Sequence, residues 1–286
     1  MIIATIIKIV SNQYTVMDTE GKRMLTKASG KVRLQGKPLV GDKVELIYKE
    51  DQIMIERFLE RTNVMRRPMI ANVDQVLIVM SVKKPDFSSQ LVDRFVWLIK
   101  QAHIEPVLLV TKYDLLEDTS KMDELLHRYE PFMRVIKTGK TLSTSDLEDA
   151  LKNKVSVLTG QSGVGKSSLI NRIEPSFVLQ TQEISKALGR GKHTTRHVEL
   201  HYVASGWVAD TPGFSSMDFS HISLLELKHL VKEFDDYNEE CRFRDCVHVD
   251  EPDCAVKSAV TKGIIDLDRY NHYLEVRQLI QAGKAS

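Results

Sequence analysis

Long apolar runs are missing from this 286-residue chain: no stretch approaches the roughly 20 consecutive apolar residues of a membrane span. The apolar start, Met1 to Val10, has neither a basic beginning nor a small-residue cleavage site, which argues against a secretory signal. Cysteine is scarce, and all three lie between Cys241 and Cys254, which points to a metal rather than to disulfides, in a reducing cytosol. A large charge of one sign is absent as well, since 40 Lys and Arg face 39 Asp and Glu. That balance conceals an asymmetry. Residues 1–70 carry 13 Lys/Arg against 8 Asp/Glu and the remainder 27 against 31, as expected for a basic module on a near-neutral body, although solvated faces are often basic too. The 42% hydrophobic and 28% charged content is that of a soluble globular protein long enough for one to three domains.

Residues 1–60 read as short strands with turns: Ile2 to Val10, Tyr14 to Met17, Arg23 to Lys27, Lys31 to Leu34, Val44 to Tyr48 and Gln52 to Phe58. This density predicts a small barrel of the OB type. Lys22, Arg23, Lys27, Lys31, Arg33 and Lys37 are candidates for an RNA-facing surface, but few aromatics interleave with them, and a barrel that only packs on its neighbour fits too. Arg61 to Pro68 reads as a basic linker. From Asn72 the pattern turns to alternating strands and helices, as in a parallel sheet with crossovers. Asp74 to Met80 is a buried strand, and Ser89 to Ala102 is a helix with Leu91, Phe95, Leu98 and Ile99 on one face. Glu105 to Val110 is the next strand.

That strand ends in Thr111-Lys112-Tyr113-Asp114, where α/β sheets bind ligands. Asp114 can accept from both the N1–H and the exocyclic amine of guanine, a donor pair that adenine lacks, and Lys112 would lie over the base and brace the phosphate loop. A further guanine contact around Thr138-Gly139 cannot be assigned from the sequence.

The strand Val155 to Thr159 leads into Gly160-Gln161-Ser162-Gly163-Val164-Gly165-Lys166-Ser167 and, from Ser168, a helix. Strand, G-x-x-x-x-G-K-S, helix is the context of a phosphate-binding loop. Its glycines let backbone N–H groups turn toward phosphate oxygens, and the helix N-terminus adds partial positive charge. Lys166 would reach the β- and γ-phosphates and Ser167 would hold Mg²⁺. Past a polar stretch, Thr181 to His197, the strands Val198–Val203 and Trp207–Ala209 lead to Asp210-Thr211-Pro212-Gly213. Asp210 is the expected Mg²⁺ partner, the Gly213 N–H faces the γ-phosphate, and Thr195, preferred over Thr194, is the second protein ligand to Mg²⁺. Ras-like GTPases place a water-orienting Gln directly after that glycine, but here stands Phe214, which cannot position water. His193 is the nearest chemically suitable group, with equal standing as a plain solvated loop histidine.

The predicted nucleotide site thus comprises Thr111 to Asp114, Gly160 to Ser168, Asp210 and Gly213. Its parts come in an unusual order, T-K-x-D first and D-x-x-G last, so the domain is circularly permuted, which is cheap where termini lie close together. The remainder is mostly helical, Ser223 to Phe234 and Ile265 to Gln281, with Ser223 and Asp266 as caps. Between them Cys241, Cys246, His248 and Cys254 make a Cys3His set suited to one closed, structural Zn²⁺ site, in a loop with no obvious core of its own.

Together these motifs resemble the ribosome small-subunit-dependent GTPase A family (RsgA, also called YjeQ). The resemblance implies a monomeric bacterial cytoplasmic GTPase with one zinc that binds the 30S subunit late in maturation. It also implies contact with 16S rRNA near the decoding centre and faster GTP hydrolysis on the subunit than alone. The expected division is an OB-fold RNA-binding domain over 1–62, a circularly permuted GTPase domain over 63–218 and a helical zinc-binding domain over 219–286. On residues alone a metabolic P-loop enzyme, such as a small-molecule kinase, is the competing class, disfavoured by the permuted switch and the lack of a substrate-pocket signature.

Overall fold

The computed structural model describes residues 2–28, 32, 36–49, 52–175, 198–210 and 217–284, without the side chains of Asp210 and Lys284. Strands β1 (Ile2–Val10), β2 (Gln13–Asp18), β3 (Arg23–Ala28), β4 (Lys43–Lys49) and β5 (Gln52–Phe58) form the N-terminal barrel. β1 pairs with both β2 and β4, β4 with β5, and β3 runs parallel to β5, which closes the circuit β1-β2-β3-β5-β4 in the OB manner. The period-2 pattern decides which side chains fill it: β3 buries Met24, Thr26 and Ala28 and exposes Arg23, Leu25 and Lys27.

Two expectations for this region are corrected. Val32, the described residue of the predicted strand Lys31–Leu34, is helical and plugs the barrel core instead of pairing with a strand. Arg61 to Pro68 is no free linker, because its side chains are committed. Arg61 makes a two-pronged ion pair with the fully buried Asp42 (2.6 and 2.9 Å), and β6 (Val64–Arg66) folds on β7 (Met69–Ala71) as a hairpin. Gly41 (φ +90°) must be glycine, since a Cβ there would lie 2.0 Å from the Ala71 carbonyl oxygen.

The remaining strands are β8 (Gln75–Ser81), β9 (Glu105–Thr111), β10 (Arg134–Lys137), β11 (Val155–Thr159), β12 (Glu199–Val203) and β13 (Gly206–Asp210). They align as β10-β9-β8-β11-β13-β12, parallel except for β12. β12 then meets β1 at Lys8 and Glu199, which makes barrel and sheet one continuous ladder. Alternate residues serve opposite faces: Val76, Ile78 and Met80 of β8 enter one core, Leu77 and Val79 the other. The second core is covered by α3 (Ser145–Leu151) and α4 (Lys166–Ile173); the first by α1 (Ser89–Gln101), by Leu126 of α2 (Ser120–His127) and by the C-terminal helices.

Helix α1 buries Val92, Phe95, Val96, Trp97 and Ile99, with Leu91 and Leu98 only partly covered. The stripe is wider than predicted because the helix is covered by the sheet on one side and by C-terminal helices on the other. Those are α5 (Leu224–Leu230), α6 (Asp235–Asn238), α7 (Ala255–Thr261) and α8 (Leu267–Lys284). Ser223 caps α5 in a reciprocal capping box with Glu226. The expected single helix over 223–234 breaks at Val231, whose extended backbone (φ −90°, ψ 95°) lets Phe234 enter the core.

Candidate functional site

The carboxyl ends of β8, β9 and β11 converge, and Thr111 to Asp114 and Gly160 to Ser168 sit there. β11 delivers the loop 160–165, and α4 begins at Lys166. Gly160 adopts φ +136°, and a Cβ there would stand 2.1 Å from the Val79 carbonyl oxygen, so only glycine lets the loop turn this close to β8. Gly163 (φ +82°) and Gly165 (φ +99°) continue in left-handed conformations, while Val164 anchors the loop in the core. The Lys166 ammonium reaches back across the loop to the carbonyls of Gly160 and Gln161, both at 2.7 Å, and its burial lowers its pKa. Ser162 and Ser168 are exposed and Ser167 half-buried.

β9 brings Thr111 to Asp114 beside this loop. The Thr111 hydroxyl donates to the Val164 carbonyl at 2.5 Å and stands 3.2 Å from that of Met80, which ties the two strand ends together. Lys112, at positive φ, donates to the carbonyls of Lys83, Lys84 and Gly163, and so links the loop 160–165 to the chain after β8. Tyr113 points its hydroxyl to Asp123 in α2, away from the phosphate loop.

The segment that the sequence left unassigned lies against Asp114. Thr138 is buried, its N–H donating to Val110 at 2.7 Å and its carbonyl accepting from Tyr113 at 2.9 Å. A Cβ on Gly139 would fall 2.1 Å from Asp114 Oδ1, and the Thr141 N–H stands 3.3 Å from Oδ2. The chain beyond β10 therefore walls in the Asp114 carboxylate. Its signal in the sequence is a single glycine after a strand, too common to single out. Asp210 ends β13 next to β11, as its strand predicts. His193, Thr195, Gly213 and Phe214 lie outside the described residues, as do Lys31 and Arg33 of the basic set. Of the other basic candidates, Arg23 is committed to Glu199, whereas Lys22, Lys27 and Lys37 are exposed. Lys27 borders a cleft of about 350 Å³ lined also by Gln13, Leu25 and Gln52.

The four predicted metal ligands converge, with ligand atoms all within 4.8 Å of one another. The Nδ1 atom of His248 is 3.6, 3.4 and 3.4 Å from the sulfurs of Cys241, Cys246 and Cys254, and Cys241 and Cys254 are 3.9 Å apart. Zn–S bonds near 2.3 Å and Zn–N bonds near 2.0–2.1 Å imply tetrahedral edges of about 3.5–3.8 Å, so the set fits one small tetrahedral cation. Nε2 of His248 faces Asn238 Oδ1 at 2.7 Å, which fixes the ring so that Nδ1 presents a lone pair, a partner that sequence reading missed. Burial pushes the Cys246 thiol up to about 12 and the His248 imidazole down to about 4, so a cation is what would make thiolates favourable here. The loop is not coreless, as its sequence suggested. Cys246 and Cys254 belong to the large core, Phe234 packs edge-on to His248 at 5.4 Å, and Glu251 accepts from the amides of Val247 and Val249, both at 2.8 Å.

Comparisons with known proteins agree with this architecture. The model of the RsgA GTPase family matches residues 57–220, and that of the RsgA N-terminal domain matches residues 4–53. The small ribosomal subunit biogenesis GTPase RsgA 2 of Oceanobacillus iheyensis is 46% identical over 286 residues, covering 98% of this chain and 97% of its own. RsgA of Geobacillus kaustophilus is 45% identical over 277 residues, covering 94% of each chain. Among solved structures, YjeQ from Thermotoga maritima matches with a TM-score of 0.85 at 39% identity, covering 98% of each chain. YloQ, described as a circularly permuted GTPase, matches with a TM-score of 0.83 at 36% identity, covering 98% of this chain and 95% of its own. The chain belongs to the RsgA family of circularly permuted GTPases.

Proposed function

We propose that this protein hydrolyses GTP on the small (30S) ribosomal subunit as a late maturation factor, with turnover stimulated by the subunit. The observation that supports the reading is the bonding of Thr111 and Lys112 to the loop 160–165, which brings Asp114 and that loop together at the carboxyl ends of β9 and β11. The names of the relatives supply the ribosomal context. Lys166 and the loop amides bind the phosphates, Lys112 lies over the base, and Asp114 accepts from the guanine N1–H and amine. Ser167, Asp210 and Thr195 hold Mg²⁺, which when bound neutralises charge building on the phosphates. The Gly213 amide meets the γ-phosphate, and His193 orients the attacking water. Cys241, Cys246, His248 and Cys254 hold one structural Zn²⁺. The barrel (1–62) contacts 16S rRNA, the nucleotide domain spans 63–218 and the zinc-bearing helices 219–286, in a monomer of the cytoplasm.

Phosphate release from GTP, measured with and without purified small subunits, tests this. Subunits should accelerate release severalfold or more, and Lys166→Ala should abolish it. Stimulation by a small metabolite instead would place the chain among small-molecule kinases.

A further inference from the structure

Arg172 has no part in the nucleotide site described so far, yet it joins the site's two ends. It lies in the last turn of α4, six positions and about 9 Å of helix rise beyond Lys166. Its guanidinium forks onto the turn after β10: Nη1 donates to the Gly139 carbonyl and Nη2 to the Leu142 carbonyl. Those carbonyls bracket the turn whose middle faces Asp114, with the Thr141 amide and hydroxyl 3.3 and 3.5 Å from Oδ2. Gly139 is packed so tightly under Oδ1 that a Cβ would overlap it. Lys140, Thr141, Leu142 and Ser143 are exposed, so apolar burial does little to hold this stretch. Its entrance is secured by Thr138, whose amide bonds Val110. The rest is held by the turn's own Leu142 amide, 3.3 Å from the Gly139 carbonyl, and by Arg172.

We infer that Arg172 is a positioning residue for base recognition, a clamp through which the helix behind the phosphate loop holds the turn that aims Asp114. The inference rests on the reading of Asp114 as the guanine acceptor. A carboxylate that accepts two base protons in one plane tolerates little rotation, and a planar two-donor fork fixes two carbonyls at once in a way an ammonium does not. The helix is oriented by Lys166 and the loop at one end and by the sheet core through Leu169 and Ile170, so the clamp carries that rigidity to the base end.

The test is equilibrium binding of GTP and of ITP, whose base lacks the exocyclic amine, to the full chain. Arg172→Ala, a substitution that favours helix, should weaken GTP about tenfold and ITP only about two- to threefold, shrinking the preference between them. Arg172→Lys should fall between, and it replaces the alanine variant if that one unfolds. In an Asp114→Asn background the Arg172 substitution should add little, because the group it aims is gone. Equal loss for both nucleotides, no loss, or full additivity with Asp114→Asn overturns the clamp. A wild-type protein that binds ITP as well as GTP removes the guanine reading of Asp114, a different failure, and the clamp falls with it.

Discussion

The barrel and the C-terminal helices join the nucleotide domain in different ways. The barrel has a core of its own, with Ile6, Val16, Val44, Leu46 and Ile55 at its centre, pairs with β12 of the central sheet at Lys8 and Glu199, and sends Ile7 and Val40 into the large core beneath that sheet. Lys8 and Arg23 reinforce that point through Glu199, but both are partly solvated, so the ion pairs are weak ties. The C-terminal helices share a core with the nucleotide domain, where Val92 and Phe95 of α1 lie with Leu227, Phe234, Tyr273, Val276 and Ile280. Charges are buried in the same seam. Asp93 bonds Arg269 at 3.1 Å and His272 at 2.6 Å, and Arg269 bonds Glu233 and lies 4.8 Å over the Tyr129 ring. Parting that seam would expose apolar surface and strand ions, whereas parting the barrel would uncover Ile7 and Val40 and break a strand pairing whose ion pairs are partly solvated. The helices are therefore tied to α1 by buried ions as well as by apolar packing.

Disabling the Cys3His set should give the largest departure from this contrast. Chelation, or Cys246→Ser, should strip amide-exchange protection from 224–284 and, through Phe234, from α1, while 2–58 keeps its own. Equal loss in the barrel would show that the two junctions are not independent. Next in size is Asp93→Ala, which leaves Arg269 buried with one fewer anion and should cost about 3–5 kcal/mol in denaturant unfolding. A loss below about 1 kcal/mol would mean that Arg269 is adequately paired by Glu233 alone. The smallest effect belongs to Glu199→Gln, at most about 1 kcal/mol near neutral pH. Burial raises the Glu199 pKa, but Lys8, His201 and Arg23 outweigh it, and the net direction is down. A carboxylate held below its ordinary 4.5 stabilises fully above that value and loses the contribution as pH falls through the folded value. The difference between Glu199→Gln and wild type should thus fade in acid and shrink in salt; a difference that grows in acid would reverse the assigned sign.

How much of this was legible depended on how local the physics is. The phosphate loop could be read directly, because G-x-x-x-x-G-K-S between a strand and a helix is a local pattern and its turn demands a positive φ at Gly160. The Ser223 cap was equally plain. The segment 31–34 misled because Val32 has the β-branched character of a strand residue, while the barrel needed an apolar plug there. Arg61 misled because a basic residue in a polar run looks solvated, and its buried partner Asp42 is 19 positions away.

The sequence by itself determined the class of protein: a permuted order of nucleotide motifs, a short-stranded barrel before them and a Cys3His set after them. Each rests on side-chain chemistry or backbone freedom within a few neighbouring residues, which spacing records. Only the tertiary structure decided that Gly139 and Thr141 wall in Asp114, that Arg172 reaches back 33 and 30 positions to the Gly139 and Leu142 carbonyls, and that Asp93 and Arg269 meet inside a seam. Those contacts join residues far apart in the chain. A burial cost that makes a charge seek a partner appears only once the chain has closed around it.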